Sequence, residues 1–344
     1  MNIAVLFGGI SPERFVSMNG GKAVVQALRS LGHNVYPIDP ALGADCIVDI
    51  ENLDIPNRAP TKSEWSNFPL RNMINCINSS IFDNIEVAFL VLHGINGEDG
   101  KIQALLECRG IPYTGSNVKA SSLSIDKIAS KLIFNATGIM TPPWIIARKK
   151  EVGNYEFLET VRAELGSKLV VKPNDQGSSV GVKIISDGNL DDINQGIVEA
   201  LEYSEIALIE QFIEGREITV GIIGEEALPI IEIAPQEGFY DYINKYTKGK
   251  SQYICPADIT EDIEEFTKGI AETAFIELGC SGFARADFRL SEEGQPYIME
   301  MNTIPGFTST SLVPMAAKEL GIEFPELCQH ILDLALEKKN EQKI

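Results

Sequence analysis

A chain of 344 residues is too long for one simple core, so two or three domains are expected. Its 44% hydrophobic and 23% charged content is that of a globular protein, not a disordered one. A net charge of −20 argues against nucleic acid or an anionic membrane as partner, because both need a basic surface; a local basic pocket for phosphate stays compatible with it.

The opening MNIAVLFGG lacks a basic leader pattern, and no run approaches the ~18 apolar residues of a membrane span. Its six cysteines show no C-x-x-C spacing and read as reduced thiols. The expected location is the cytoplasm. Residues 3–7 read as a buried strand ending in Gly8-Gly9. Val24, Val25, Leu28 and Leu31 predict a helix stopped by Gly32, and residues 35–38 a second strand. This is a βαβ opening of nucleotide-domain type. Residues 41–75, with Pro56, Pro60 and Pro69, read as a long irregular excursion. A buried strand over 87–92 ends at His93-Gly94, and a loop, a helix and a short strand follow.

A linker-like change falls near Ser121, then a helix around 127–135 leads to Thr141-Pro142-Pro143. Strands over 169–172 and 182–185 flank the loop NDQGSSVG, and two more cover 206–212 and 217–223. Residues 236–257, rich in Tyr, Lys and Gly, read as a long functional loop. Helices are expected over 261–278 and from about Phe324.

FARADFRL (283–290) and YIMEMN (297–302) flank the turn-like SEEGQP and predict a hairpin. Pairing Leu290 with Tyr297 sets Ala286, Phe288 and Leu290 against Tyr297, Met299 and Met301. Asp287 then faces Glu300, and Arg285 faces Asn302. Facing carboxylates destabilise a strand pair, and a hard divalent cation with a further oxygen from Asn302 removes that penalty. The alternative is an exposed face neutralised by Arg285 and Arg289.

VVKPNDQGSSVGVK places Gly177-Ser178-Ser179-Val180-Gly181 between two predicted strands. Its N–H groups and hydroxyls can meet phosphate oxygens, with Lys172 beside them. The pattern is not G-x-x-x-x-G-K-[ST], so a plain Gly/Ser hairpin is the alternative. His93 ends a buried strand, where ligands bind in α/β sheets; a purely structural histidine is its alternative.

Many separate motifs then coincide: FGGISPERFVS, LHGINGEDG, GIPYTGSN, Asp126-Lys127, KPNDQGSSVG, LIEQFIEGREITV, YDYINKY, QYICPA, GFARADF and MEMNTIPGFTSTSLVP. In this order, along nearly the whole chain, they resemble the D-alanine–D-alanine ligases of the ATP-grasp superfamily. The resemblance implies an α/β ATP-grasp fold. An N-terminal Rossmann-like domain would cover 1–120, a central subdomain 121–212 and a C-terminal subdomain 213–344. It implies an ATP-dependent ligase that joins two D-alanines through an acyl phosphate for peptidoglycan precursor synthesis. The substrates would be D-alanine and ATP, and the assembly a homodimer.

By the same resemblance, Asp287, Glu300 and Asn302 hold two Mg²⁺ ions, for which Mn²⁺ can substitute. Lys127 and Lys172 bind phosphates, and the 177–181 loop, with Gly177 and Ser179, closes over them. Glu210, Phe212 and Ile213 hold adenine, and Glu217 the ribose. Glu13 receives the first D-alanine's ammonium group, with His93 close by. Arg285 and the N–H of Gly306 form an oxyanion hole, and Ser311 and Leu312 bind the second carboxylate. Ser178 and Tyr246 join Glu13 in a set that holds the mobile loop closed. Lys245-Tyr246 favours the dipeptide over D-alanyl-D-lactate or D-alanyl-D-serine as product. Intact Asp287, Glu300, Asn302 and Arg285 speak against a non-catalytic nucleotide-binding protein. Three departures stand out: Phe15 in place of an acid, Asn174-Asp175-Gln176 before the glycine loop, and Ile304 where a small residue is common.

Overall fold

The apolar run at the start folds as β1 (Asn2–Leu6), which pairs in parallel with β2 (Asn34–Ile38) and β3 (Val87–Leu90) on its two sides. The structure, a computed structural model, describes residues 1–235 and 251–341. Helix α1 (Arg14–Ser30) crosses from β1 to β2 and packs Val24, Val25 and Leu28 against Ile3, Val5 and Phe7. At Gly21 a Cβ would stand 2.3 Å from the Phe7 ring, so glycine permits the close approach of helix to sheet. Ala4 and Leu6 point the other way, into a second core. Burial on both faces is what a parallel sheet requires.

The excursion after β2 is more ordered than its prolines predict. It contains a 3-10 turn (Pro40–Asp45), α2 (Lys62–Ser66) and α3 (Arg71–Ile77), and Met73, Cys76 and Ile77 of α3 cover the second face of the sheet. Pro69 precedes α3 and Pro56 and Pro60 precede α2, where a missing N–H costs nothing. Beyond β3 come α4 (Lys101–Arg109), α5 (Val118–Ile125) and α6 (Lys127–Ala136). The expected linker near Ser121 is part of α5, and Ser121 is buried with its hydroxyl donating to Ser116 O at 3.3 Å.

A second sheet is built from β4 (Trp144–Ala147), β5 (Leu169–Pro173), β6 (Lys183–Ile185) and β7 (Ala207–Gln211). Its order is β4-β7-β5-β6, antiparallel throughout. Helices α7 (Tyr155–Leu165) and α8 (Leu190–Ala200) cover it with Leu158, Val161, Ile193 and Ile197, which form a separate core with Val171 and Ile209.

The third sheet contains β8 (Arg216–Ile223), β9 (Glu226–Ala227), β10 (Ile231–Pro235), β11 (Ser251–Ile254), β12 (Phe283–Leu290) and β13 (Pro296–Asn302). Its order is β11-β10-β8-β12-β13, with β9 paired to β8. Residues 251–254 of the predicted loop are thus a strand, held by antiparallel pairing with β10; residues 236–250, with Lys245 and Tyr246, lie outside the described residues. Helix α9 (Glu261–Glu277) backs this sheet, and α10 (Leu312–Glu319) and α11 (Phe324–Glu341) return to the N-terminal sheet. There Val313, Ala317, Leu327 and Ile331 join the core of Ile3, Val5 and Phe7. Among the described residues no helix is long and apolar enough to cross a membrane.

The β12–β13 hairpin meets its predicted register at one end and departs from it at the other. Arg285 faces Asn302 and Asp287 faces Glu300, but Phe288 faces Ile298, Arg289 faces Tyr297 and Leu290 faces Pro296. Tyr297 is therefore not the partner of Leu290. A β-bulge absorbs Met299 as the extra residue and reverses the alternation. Ile298 and Met301, three apart, both reach the core beside Ala286 and Phe288, whereas Met299 and Glu300 line a cleft.

Candidate active site

That cleft, about 800 Å³ in volume, lies between the second and third sheets. Its walls include Lys127, Lys172, the 176–180 loop, Glu210, Phe212, Ile213, Glu217, Asp287, Arg289 and Glu300. The facing carboxylates sit on one wall because β12 pairs with β13 on one side and β8 on the other. Asp287 Oδ1 accepts from Thr219 Oγ1 at 2.6 Å and Arg285 Nε at 2.8 Å. Its Oδ2 accepts from Arg285 Nη2 at 2.7 Å and Asn302 Nδ2 at 2.9 Å. Glu300 Oε2 lies 3.2 Å from Lys127 Nζ. Arg285 thus compensates Asp287, as the neutralised-face alternative requires. Arg289 does not: it donates to Ile213 O and Gly215 O at 3.0 and 2.7 Å and lies 5.2 Å above the Phe212 ring. Arg289 Nη1 also stands 4.0 Å from Glu217.

Deeper in the cleft, Glu210 is shared by two lysines. Its Oε1 lies 2.7 Å from Lys131 Nζ and its Oε2 2.6 Å from Lys172 Nζ. Burial pushes the Glu210 carboxyl up, but the two ammonium groups outweigh it and hold the group below its ordinary range. Burial pushes the Lys131 ammonium down to about 8, against the pull of Glu210.

The glycine loop crosses from the second sheet to the N-terminal region. Ser178 and Ser179 take positive φ values of 49° and 58°, a backbone conformation uncommon for residues with a side chain. The Ser178 hydroxyl donates to Glu13 Oε1, and a Cβ at Gly177 would stand 2.8 Å from Glu13 Oε2. Lys127 Nζ donates to Gln176 O at 2.7 Å and ties the loop to α6. Glycine loop, Glu13 and phosphate-side lysines are brought together.

His93 is buried outside the cleft, beside Gly8, Gly9 and Leu92, and its neighbour Gly94 approaches Glu13: a Cβ there would stand 2.5 Å from Glu13 Oε2. The His93 Nδ1–H donates to Ile304 O at 2.9 Å, which leaves the buried Nε2 without a partner among the described residues. Burial, with Arg285 nearby, lowers its pKa to about 4, so the ring is neutral and Nε2 is an acceptor. Glu98 accepts from Gly94 N at 2.7 Å and Ile304 N at 3.3 Å. Burial and then the Glu13 charge raise its pKa to about 8. Gly306 follows closely: a Cβ there would first meet Ser311 Oγ, at 3.7 Å. Ser311 stands at the N-terminus of α10, Leu312 is its first residue, and Thr308 N donates to Ser311 Oγ at 2.9 Å.

Of the departures, Phe15 is only 7% exposed and, as a residue of α1, belongs to the core that α1 forms with the N-terminal sheet, with the Arg58 guanidinium 5.6 Å from its ring. The Ile304 side chain is buried under the N-terminal sheet, and its backbone serves His93 and Glu98. Sequence reasoning missed Lys131, Glu98 and Thr219, and read Arg289 only as a charge on the strand face. Lys131 carried a signal, four residues after Lys127 on one helix face. Thr219 carried none.

Residues 2–116 match the family description "D-ala D-ala ligase N-terminus", and residues 133–333 match "D-ala D-ala ligase C-terminus". A D-alanine–D-alanine ligase of Methylacidiphilum infernorum is 41% identical over 334 residues, 97% of this chain and 95% of that one. The crystal structure of the D-alanine–D-alanine ligase from Bacillus anthracis matches with a TM-score of 0.79 at 33% identity, over 99% of both chains. The structure of that ligase complexed with ATP matches with a TM-score of 0.76 at 30% identity, again over 99% of both.

Proposed function

The chain belongs to the D-alanine–D-alanine ligase family, and on that premise we propose how its own residues join two D-alanines at the expense of ATP. The facing pair Asp287–Glu300, on the cleft wall that also carries Lys127 and Lys172, is the observation that carries this reading. The product serves peptidoglycan precursor synthesis.

Phe212, Ile213 and Glu217 take the adenosine, and Glu210 offers a carboxylate oxygen to the adenine amino group. Lys127 and Lys172, now paired with Glu300 and Glu210, turn to the phosphates, and Gly177 and Ser179 close over them. Asp287, Glu300 and the amide oxygen of Asn302 are hard donors that suit Mg²⁺, and two such ions fit this reading, with Mn²⁺ as substitute. The Asn302 amide, whose Nδ2 already reaches Asp287 Oδ2 at 2.9 Å, supplies the donor beside the two carboxylates in this reading. A metal held by these residues would supply positive charge to the transferring phosphoryl group.

Glu13 receives the ammonium of the first D-alanine, with His93 close to that substrate and its Nε2 a further acceptor. That substrate's carboxylate oxygen attacks the γ-phosphorus, the bond to the bridging oxygen breaks, and ADP leaves. The second D-alanine's amine, having lost a proton, attacks the acyl phosphate carbon. Its carbonyl oxygen becomes an oxyanion that Arg285 and the Gly306 N–H stabilise as charge develops. Collapse expels phosphate and leaves the dipeptide. Ser311 and the α10 N-terminus at Leu312 hold the second carboxylate. Ser178 fastens the loop to Glu13, with Tyr246 as a third member and Lys245 beside it.

The division at about residues 120 and 212 follows from this reading, with Glu13 and His93 for the first D-alanine before the first boundary, and the metal, oxyanion and second-carboxylate groups after the second. ADP release with ATP, Mg²⁺ and D-alanine, alone or mixed with D-lactate or D-serine, tests it. D-alanine alone should give ADP and the dipeptide. No ADP above background in any mixture would sink the ligase reading.

A further inference from the structure

Lys131 is fully buried, and no step above uses it. A buried ammonium is tolerated only when paired and hydrogen-bonded. Lys131 meets both conditions: Nζ lies 2.7 Å from Glu210 Oε1 and donates to Thr141 Oγ1 at 2.6 Å and to Pro142 O at 3.2 Å. Thr141 is itself fixed, donating to Ile298 O at 2.8 Å. Lys172 is held differently. It stands at the cleft wall, and among the described residues its ammonium has one side-chain partner, Glu210.

Two cations and one carboxylate leave the group with one positive charge. If Lys172 departs, Lys131 and Glu210 remain as a neutral pair. If Lys131 were missing, the same departure would strand a buried carboxylate, which a low dielectric penalises heavily. Resting on the reading of the cleft as the ATP site, we infer that Lys131 is the permanent partner of Glu210 and Lys172 the exchangeable one. Lys131 is thereby a positioning residue for nucleotide: it keeps Glu210 aimed, releases Lys172 to the phosphates, and leaves Glu210 Oε2 open to the adenine amino group.

The test is Mg²⁺–ATP affinity by titration calorimetry on the full chain, for wild type, Lys131→Met, Glu210→Gln and the double variant. Lys131→Met should weaken ATP by about tenfold or more, while KM for D-alanine stays within about twofold. In the Glu210→Gln background the same change should cost less than about twofold, because no carboxylate remains to be held. The double variant removes both buried charges, so it still decides the matter if Lys131→Met alone does not fold. ATP affinity unchanged by Lys131→Met, or weakened equally in both backgrounds, overturns the inference. Failure of the site reading looks different: wild type does not bind ATP, or Glu210→Gln binds it as wild type does, and the inference falls with it.

Discussion

Ile304 governs two titrating neighbours through its backbone, its N–H donating to Glu98 and its carbonyl accepting from His93. For Glu98 the folded state raises the pKa from 4.5 to about 8, through burial and then the negative charge of Glu13. The native state therefore binds more protons than the unfolded chain across that interval. The stabilising contribution is complete below the unfolded value and is lost as pH rises through the folded one. Glu98→Gln cannot ionise, so its melting temperature relative to wild type should climb steadily from pH 5 to pH 8. Loss of an acceptor for Gly94 or Ile304 adds an offset that does not vary with pH, so the slope is the readout. A gap that stays flat across that range contradicts a proton-holding Glu98. His93 has the opposite sign: its depressed pKa makes stability fall only as pH drops from 6.5 toward 4.

The glycine loop makes its prediction as an element. Gly177 does not occupy the left-handed region, so its backbone accepts alanine, but a Cβ would press to 2.8 Å from Glu13 Oε2. Gly177→Ala should push Glu13 aside and lower kcat/KM for D-alanine by about tenfold, while Tm moves by less than about 2 °C. Unchanged kinetics would separate the loop from Glu13 in the working enzyme. The loop between two strands was legible in KPNDQGSSVG; the contact of Ser178 with Glu13, 165 positions earlier, came from the family resemblance and from no periodicity or spacing. The hairpin divides in the same way. Alternation placed Asp287 opposite Glu300, because one buried face fixes the register there. The bulge at Met299 escaped, since Tyr297, Ile298 and Met299 are all apolar and a two-residue period cannot tell which of them is the inserted one. Strand β11 escaped because its segment lacks periodicity and takes its order from pairing with β10. Glu210 falls in a predicted strand and Lys131, unremarked, in a predicted helix; only the fold joins them.

Across the whole molecule, the cores do not follow chain order. Residues of β1, β3 and α1 share one core with α10 and α11 from the other end of the chain, and Phe307 knits it together. Its ring centroid lies 5.4 Å from Phe283 and Phe324 and 5.8 Å from Phe89. The β4–β7 sheet with α7 and α8 instead keeps a core of its own, and the cleft runs along its border. A lobe with a private core can open without disturbing the rest. The chain's two tryptophans report on the two parts, Trp65 against the N-terminal sheet and Trp144 on β4. Ile331→Ala and Leu158→Ala each remove a fully buried side chain, at a cost of about 2–5 kcal/mol. With Trp144→Phe leaving Trp65 as the sole reporter, Ile331→Ala should lower the urea midpoint and Leu158→Ala should not. With Trp65→Phe the pattern should reverse. Equal shifts at both reporters would mean that the border along the cleft is as cooperative as either core, and the β4–β7 lobe could then not move over bound nucleotide as a unit.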